Sequence, residues 1–282
     1  MKETDGQKPN SNQGTDEERY LGGYSSLIIE TLAKRTASVE AGFFVPHLHS
    51  GMKLLDCGCG PGTMTVNLAE VVAPGEVVGI DLEDKQFEVG RAYARERGVS
   101  NVRFETGNIY DLPFESDTFD AVFAHAVLYH LKTPGKALTE LHRLLKPGGV
   151  IGIRDLDNGG TIVTPSNPSM DKAFELIDRV HEYNGGHPLF GRSQRARLRE
   201  AGFVNIQVSA SFDNYGTAEA TRRVGKYFAG LVLQPTTANV IVEQNWASQT
   251  ELEEMSAALE AWGKHPDAFW ARARCEAVGW KE

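Results

Sequence analysis

The sequence predicts an α/β protein built on a mostly parallel, doubly wound sheet, and three observations predict it. Between residues 52 and 155, short apolar runs alternate with segments of helical periodicity, the pattern of strand–helix–strand units. The first of those runs ends in a glycine cluster, Gly58, Gly60 and Gly62. The length, 282 residues with 41% hydrophobic and 24% charged side chains, suffices for one large domain with insertions around a sizeable core.

Each element has its own signal. Residues 1–18 carry no apolar side chain beyond Met1 and are expected to be a disordered tail. From Tyr20 to Leu48 the pattern turns helical, with Leu27, Ile28, Leu32 and Ala33, then Val39, Phe43 and Phe44, on an apolar face that Gly51 ends. MKLLD (52–56) is the first strand and Thr63–Val72 a helix; EVVGID (76–81) is the second strand, and 84–97 a helix closed by Gly98. NVRFET (101–106) and FDAVFA (119–124) are the third and fourth strands. In the helix Thr133–Leu145, Thr133 can cap and Pro134 sits in the first turn, while Ala137, Leu138, Leu141, Leu144 and Leu145 share one face. KPGG (146–149) stops it before VIGIRD (150–155), the fifth strand. Residues 156–190 are loop-rich with a helix near 169–182, and Gln194–Ala201 is a helix ending at Gly202. VNIQVSA (204–210) alternates apolar and polar residues, as a half-exposed strand near an edge does. Residues 217–264 read as two or three helices broken near Pro235, and AFWARARCEAVGW (268–280) as a closing strand.

Lys and Arg number 29 against 38 Asp and Glu, a net charge of −9. A broadly acidic surface repels phosphate, so neither nucleic acid nor an anionic membrane is an expected partner. Cys57 and Cys59 form a lone C-x-C, with Cys275 far away, which is neither a disulfide framework nor a zinc pattern. No metal is expected. No run of ~18 apolar residues suggests a membrane span, and the polar N-terminus is not a secretory signal. The expected compartment is the cytoplasm.

The decisive segment is LLDCGCGPG (54–62). Glycines let the backbone turn sharply and let a ligand approach the main chain, and the following helix start offers free N–H groups. Asp81 ends the second strand, 25 positions after Asp56, where this topology brings a carboxylate to the ribose hydroxyls of an adenosine cofactor. A nicotinamide or flavin fold wants G-x-G-x-x-G. Here the spacing is D-x-G-x-G-x-G, and a carboxylate ahead of the first glycine suits a cationic partner such as an amino group or a sulfonium. That points to S-adenosylmethionine (SAM).

LLDCGCGPG, VVGID, GNIYDLPFESDTFDAVFAHAVLYHL and ALTELHRLLKPGGVIGI follow one another over roughly 52–155. On these pieces the sequence resembles the class I SAM-dependent methyltransferases, nearest to the menaquinone/ubiquinone C-methyltransferase-like enzymes of small molecules. The resemblance implies a Rossmann-like, seven-stranded sheet, its last strand antiparallel, with a helical cap. It also implies that the Asp56–Gly62 loop, with Asp56, Gly58, Gly60 and Gly62, surrounds the methionine part of SAM. Asp81 holds the ribose, Leu82 lies against the adenine, and Asn108 and Ile109 flank that ring. Ala124 and His125 line the methionine end. The family usually has Asp where this chain has Asn108, whose amide oxygen can still accept from the adenine amino group. In similar enzymes an N-terminal helix folds over the cofactor, which makes Tyr20 or, by choice, Tyr24 a pocket-closing residue.

Methyl transfer is an in-line displacement in which the protein supplies alignment, exclusion of water and sometimes a base. HAVLYH (125–130) offers His130 as base or substrate-orienting group, and Tyr129 beside it. A structural reading, in which His130 orders the loop, stands next to this. Arg192, Arg195 and Arg199 share a helical face, with Arg192 the one that could bind an anion.

The expected organisation is a tail (1–18), an N-terminal helical lid (19–50), a SAM-binding core (51–155), a cap insertion (156–190), the rest of the core (191–216), a helical cap insertion (217–264) and a closing strand (265–282). Because strands five and six end on the cofactor side, both insertions rise over the SAM site. Phe228, Leu231, Val232, Val240, Ile241, Trp246 and Met255 make the second one apolar, which suits a small hydrophobic or aromatic acceptor or a homodimer interface. The expected function is methyl transfer from SAM to such an acceptor, driven mainly by proximity and desolvation. Its rivals are an RNA methyltransferase and a SAM-binding protein without turnover.

Overall fold

A computed structural model describes Ile29 and residues 32–282. The expected tail, Tyr20 and Tyr24 lie outside the described residues. Of the helical stretch expected over 20–48, the described part is helical at Ile29 and Leu32, where the Ala33 N–H donates to the Ile29 carbonyl, and after a break holds a one-turn helix α1 (Ala37–Glu40) and a 3-10 turn, Val45–His47. Thr36 is extended before α1 and Pro46 sits in the 3-10 turn, so apolar periodicity here marks burial rather than a continuous helix.

The alternating core follows the sequence closely. Strands β1 (Leu54–Cys57), β2 (Val77–Asp81), β3 (Val102–Thr106) and β4 (Phe119–His125) are joined through helices α2 (Thr63–Val72) and α3 (Phe87–Arg97) and the loop after β3. Helix α3 ends where Gly98 turns left-handed at φ 67°, the usual glycine C-cap. Helix α4 (Pro134–Leu144) then leads to β5 (Leu145–Leu156). Pro134 opens α4 as expected, but Thr133 makes no side-chain capping bond. KPGG does not separate helix from strand. It lies inside β5, where a register shift opposite Phe119–Ala121 absorbs it.

The sheet order is β3-β2-β1-β4-β5-β8-β6, with β7 on the other edge of β8. Strands β1 to β5 pair in parallel, and β8 (Phe269–Trp280) runs antiparallel to β5 and to β7 (Val204–Tyr215). The sheet has eight strands rather than seven. The extra one, β6 (Ile162–Thr164), meets β8 at Phe269–Ala271, beyond the stretch that β5 occupies. It resumes the line of β5 after a 3-10 turn at Asn158–Gly160. Three residues with Ile162 exposed carry no alternation that a sequence could show.

The two faces of the central strands bury alternate residues. Leu55, Val78, Val122 and Ile151 pack with Leu138 and Leu141 of α4 and Leu198 of α6 (Gln194–Glu200). Leu54, Val77, Phe123 and Val150 pack with Leu68 and Val72 of α2 and with Phe44. A separate cluster joins α5 (Pro168–Tyr183), α7 (Ala218–Leu233), α8 (Pro235–Glu243) and α9 (Gln249–Gly263) to Trp270 of β8. Pro235 opens α8, and Ser248 closes a capping box with Glu251 at the start of α9. Among the described residues no helix is long and apolar enough to cross a membrane.

Candidate active site

The strand order reverses between β1 and β4, and in open α/β sheets ligands lie at the carboxyl ends of the strands at such a point. A cavity of about 1120 Å³ opens there. Its floor is the loop after β1, the ends of β2 and β4, and the face of β8; its roof comes from α5 and α7, and Leu32 and Arg35 close one side.

The loop owes its path to glycine. Gly58, Gly60 and Gly62 have φ of 71°, 56° and 81°, the left-handed region that other residues enter at a cost. Their surroundings differ. A Cβ on Gly58 would lie 2.2 Å from Val127 and one on Gly62 2.3 Å from Phe104, whereas one on Gly60 would meet nothing nearer than 3.9 Å. Gly60 therefore exposes its backbone to open cavity, while the other two permit close packing. Its N–H donates to Asp81 Oδ2 at 2.8 Å, and the Glu83 N–H reaches Asp81 Oδ1 at 3.3 Å. Burial raises the Asp81 carboxyl above its usual range, against the pull of these N–H groups.

Among the residues the sequence singled out, Gly58, Gly60, Asp81, Leu82, Asn108, Ile109, His125, Tyr129 and His130 line this one cavity. Asp56, Gly62 and Ala124 do not. Asp56 is 1% exposed, beneath the loop, with Oδ2 accepting from Thr65 Oγ1 at 2.7 Å and Oδ1 without a donor among the described residues. Burial, and secondarily the charge of Asp81, push it up to about 7 against the Thr65 bond. Gly62 packs under Phe104, and Ala124 lies wholly in the core. Tyr24 lies outside the described residues. Cys57 and Cys59 are buried in two different apolar clusters, and each also reaches the cavity wall.

His125 belongs to a charge network as well as to the cavity wall. Its Nε2 lies 3.2 Å from Glu40 Oε2 and 3.2 Å from Arg154 Nη1. Burial lowers the imidazole to about 3, so it is neutral at physiological pH. Arg154, 3% exposed, also binds Glu40, Glu276 and Asp213. Burial opposes ionisation of Glu40, but His125, Arg154 and Arg35 overcome it and hold the carboxyl at about 2. These contacts fasten α1 over the ends of β4 and β5.

Tyr129 and His130 form a 3-10 turn with Leu128 after β4. Their rings are 3.8 Å apart, and His181 of α5 meets both at 5.0 and 5.1 Å. Burial, reinforced by His181, holds His130 well below its usual range. Arg192 is not available as an anion site. Its guanidinium clasps Asp157 through Nε at 2.8 Å and Nη2 at 2.6 Å, and so ties the end of β5 to the turn before α6.

Several lining groups escaped the sequence reading. Arg274 and Arg272 come from the closing strand, and Asp178 from α5. Asp178 accepts from Asn158 Nδ2 at 2.6 Å, and burial raises it to about 6. Alternation in 268–280 is visible in sequence, but not that its charged face turns to the cavity.

These features fit a nucleoside with a cationic head: a loop backbone at Gly60 that faces open cavity, a carboxylate at the end of β2, and beneath the loop the buried Asp56, whose Oδ1 has no donor among the described residues. The family model for the Methyltransferase domain matches residues 48–199. An uncharacterised methyltransferase of Schizosaccharomyces pombe is 34% identical over 256 residues, which cover 88% of this chain and 90% of that protein. A demethylmenaquinone methyltransferase of Geobacillus sp. (strain WCH70) is 32% identical over 179 residues, 58% of this chain and 76% of that protein. The YcgJ protein of Bacillus subtilis has the same fold, with a TM-score of 0.58 at 20% identity over 86% of this chain and 98% of that one.

Proposed function

This chain belongs to the methyltransferase-domain family and is a SAM-dependent methyltransferase, and from that premise we propose that it methylates a small apolar or aromatic acceptor held beneath helices α5 and α7. The observation that carries the proposal is that one cavity joins the glycine loop and Asp81 to an aromatic roof of Phe174, Tyr227 and Phe228. Its volume of about 1120 Å³ exceeds the ~300–1,000 Å³ usual for a single small ligand, as a site for cofactor plus acceptor requires. An acceptor lying under helices, in a chain of net charge −9, is better matched to a small molecule than to RNA.

SAM supplies an electrophilic methyl group on a sulfonium. In this reading Asp81 receives the ribose hydroxyls, since a carboxylate has acceptor sites beyond the two already used. Leu82, Asn108 and Ile109 flank the base, and the backbone of Gly58 and Gly60 bounds the methionine part. Asp56 acts from beneath the loop, where a cationic ligand favours its ionised form. The cap residues exclude water and align the acceptor, the main source of acceleration. His130 is too weak a base to take a proton efficiently, so with Tyr129 it orients the acceptor. Asp178 titrates nearer neutrality and is placed to take a proton where the acceptor carries one.

The test is calorimetry with S-adenosylhomocysteine, the demethylated product, on the natural chain and Asp81→Ala. Loss of charge-assisted bonds should weaken binding by about 2 kcal/mol, roughly 30-fold. An unchanged dissociation constant removes Asp81 from the cofactor site. Release of S-adenosylhomocysteine from SAM in the presence of a pool of small aromatic metabolites separates an enzyme from a binder.

A further inference from the structure

Strand β8 turns Trp270, Arg272 and Arg274 toward the cavity, alternate residues on one face, with the two arginines about 7 Å apart along the strand. Arg274 is 3% exposed. Its Nε donates to Asp213 Oδ2 at 2.7 Å, but Nη1 is buried and meets no acceptor among the described residues. Each Asp213 oxygen already accepts from a guanidinium, Oδ2 from Arg274 and Oδ1 from Arg154 at 3.0 Å, and neither reaches Arg274 Nη1. Arg154 is by contrast saturated, with Glu40, Glu276, Asp213 and Ser211 around its guanidinium. Arg272 makes no hydrogen bond or ion pair with a described residue; its guanidinium lies 5.9 Å from the Trp270 ring centre.

From these groups we infer that the acceptor is an acid, with a carboxylate or phosphate on an aromatic or apolar body, and that Arg272 and Arg274 receive that oxyanion. The inference rests on the methyl-transfer reading above. A buried guanidinium proton without an acceptor is costly, and a ligand oxygen removes the cost. Adjacent guanidinium forks match the planar, bidentate geometry of carboxylate and phosphate better than any other side chain does. The place is right for the acceptor rather than the cofactor. β8 lies three strand positions from β1, about 14 Å across the sheet, and directly under the cap. The body of the acid would lie against Trp270, whose ring is 4.7 Å from Phe228 and 5.5 Å from Tyr215. The carboxyls facing this end are Asp171 and Asp178, and Asp178 is already engaged by Asn158.

The experiment uses the full chain saturated with S-adenosylhomocysteine, titrated calorimetrically with 4-hydroxybenzoate and phenyl phosphate and with their neutral counterparts 4-hydroxybenzamide and phenol. At least one acid should bind tenfold or more tightly than its counterpart, and which one does so separates carboxylate from phosphate. Arg272→Met should erase the preference while S-adenosylhomocysteine affinity stays within twofold. Arg272 is the primary variant because its loss breaks no hydrogen bond or ion pair with a described residue; Arg274→Met, which disturbs a buried network, is read only if its melting curve stays cooperative. Equal affinity for acids and neutral compounds, no detectable binding of either, or a preference that survives Arg272→Met overturns the inference. If S-adenosylhomocysteine itself does not bind, the methyl-transfer reading fails instead, and the same titrations on cofactor-free protein still decide the arginine site.

Discussion

Burial sets the chemistry of single residues here, often against their usual behaviour. His130 is held neutral by desolvation, and a group far below its ordinary pKa is a poor proton acceptor near neutrality. His130→Ala should therefore cost about tenfold in turnover, with cofactor affinity unchanged. A fall by the ~10²–10⁴ that removal of a general base produces would return His130 to the role of base. Asp155 shows the converse. Burial pushes its carboxyl up to about 8, against a bond from the Tyr129 N–H and the charge of Arg274. Its folded pKa exceeds the unfolded value of ~3.9, so its stabilising contribution is complete below pH ~4 and is lost as pH rises through 8. The histidines shifted down to about 3 and 4, His125 and His181, act below pH ~6.5, so the fall across the window from 7 to 8 belongs to Asp155 with a diminishing share from Asp56, raised to about 7. Chemical denaturation should show stability falling across that window. Asp155→Asn, which keeps the acceptor for Tyr129, should flatten the fall. An identical slope in the variant would mean that Asp155 is ionised at pH 7.

At the scale of elements, the turn from β1 into α2 was legible from its glycines, but their separate duties were not. Gly60 faces open cavity, whereas Gly62 is the left-handed residue before α2 and sits beneath Phe104. Gly62→Ala adds both backbone strain and a 2.3 Å approach to the Phe104 ring. It should cost about 2–4 kcal/mol of stability. Gly60→Ala adds strain alone and should cost about 1 kcal/mol. Equal losses in urea melts would show that packing around Gly62 relaxes freely. The same contrast explains why α2, α4 and the end of α3 are legible in the sequence to within a residue, while the start of α3 after the 3-10 turn Asp84–Gln86, β6 and the one-turn α1 are not. The long helices carry an apolar face and a glycine or proline at one end: Gly62 before α2, Gly98 after α3 and Pro134 at the start of α4. The short elements exist because partners already in place complete them: β8 for β6, and Arg154 with His125 for α1.

At the largest scale, the described residues form two packed bodies on either side of the cavity at the strand ends. The sheet has a cluster on each face, and the cap has its own, sharing Trp270 with the sheet. Weakly joined clusters open separately, so backbone amides of α7 and α9 should exchange with deuterium at a lower opening free energy than those of β1, β4 and β5. S-adenosylhomocysteine should slow exchange in the loop 57–62 more than in α9. Uniform protection across cap and sheet would make them one cooperative unit and remove the cap's freedom to admit an acceptor.

The order of strands, the glycine loop, Asp81 and the methyltransferase signature are properties of short segments, and the sequence by itself determined them. Local periodicity and turn chemistry act between neighbours and leave their mark in a linear string. Which side chains share the cavity is a different matter. Arg272, Arg274 and Asp178 stand far from the motif region in the chain. They reach the site only because β8 inserts beside β5 and α5 folds back over the sheet. Asp56 and Ala124 show the reverse: both belong to the motif, and packing seals both away from the cavity wall. Burial, and with it the charge state of His130, Asp155 and Asp56, depends on every element that covers a residue. Only the tertiary structure decided it.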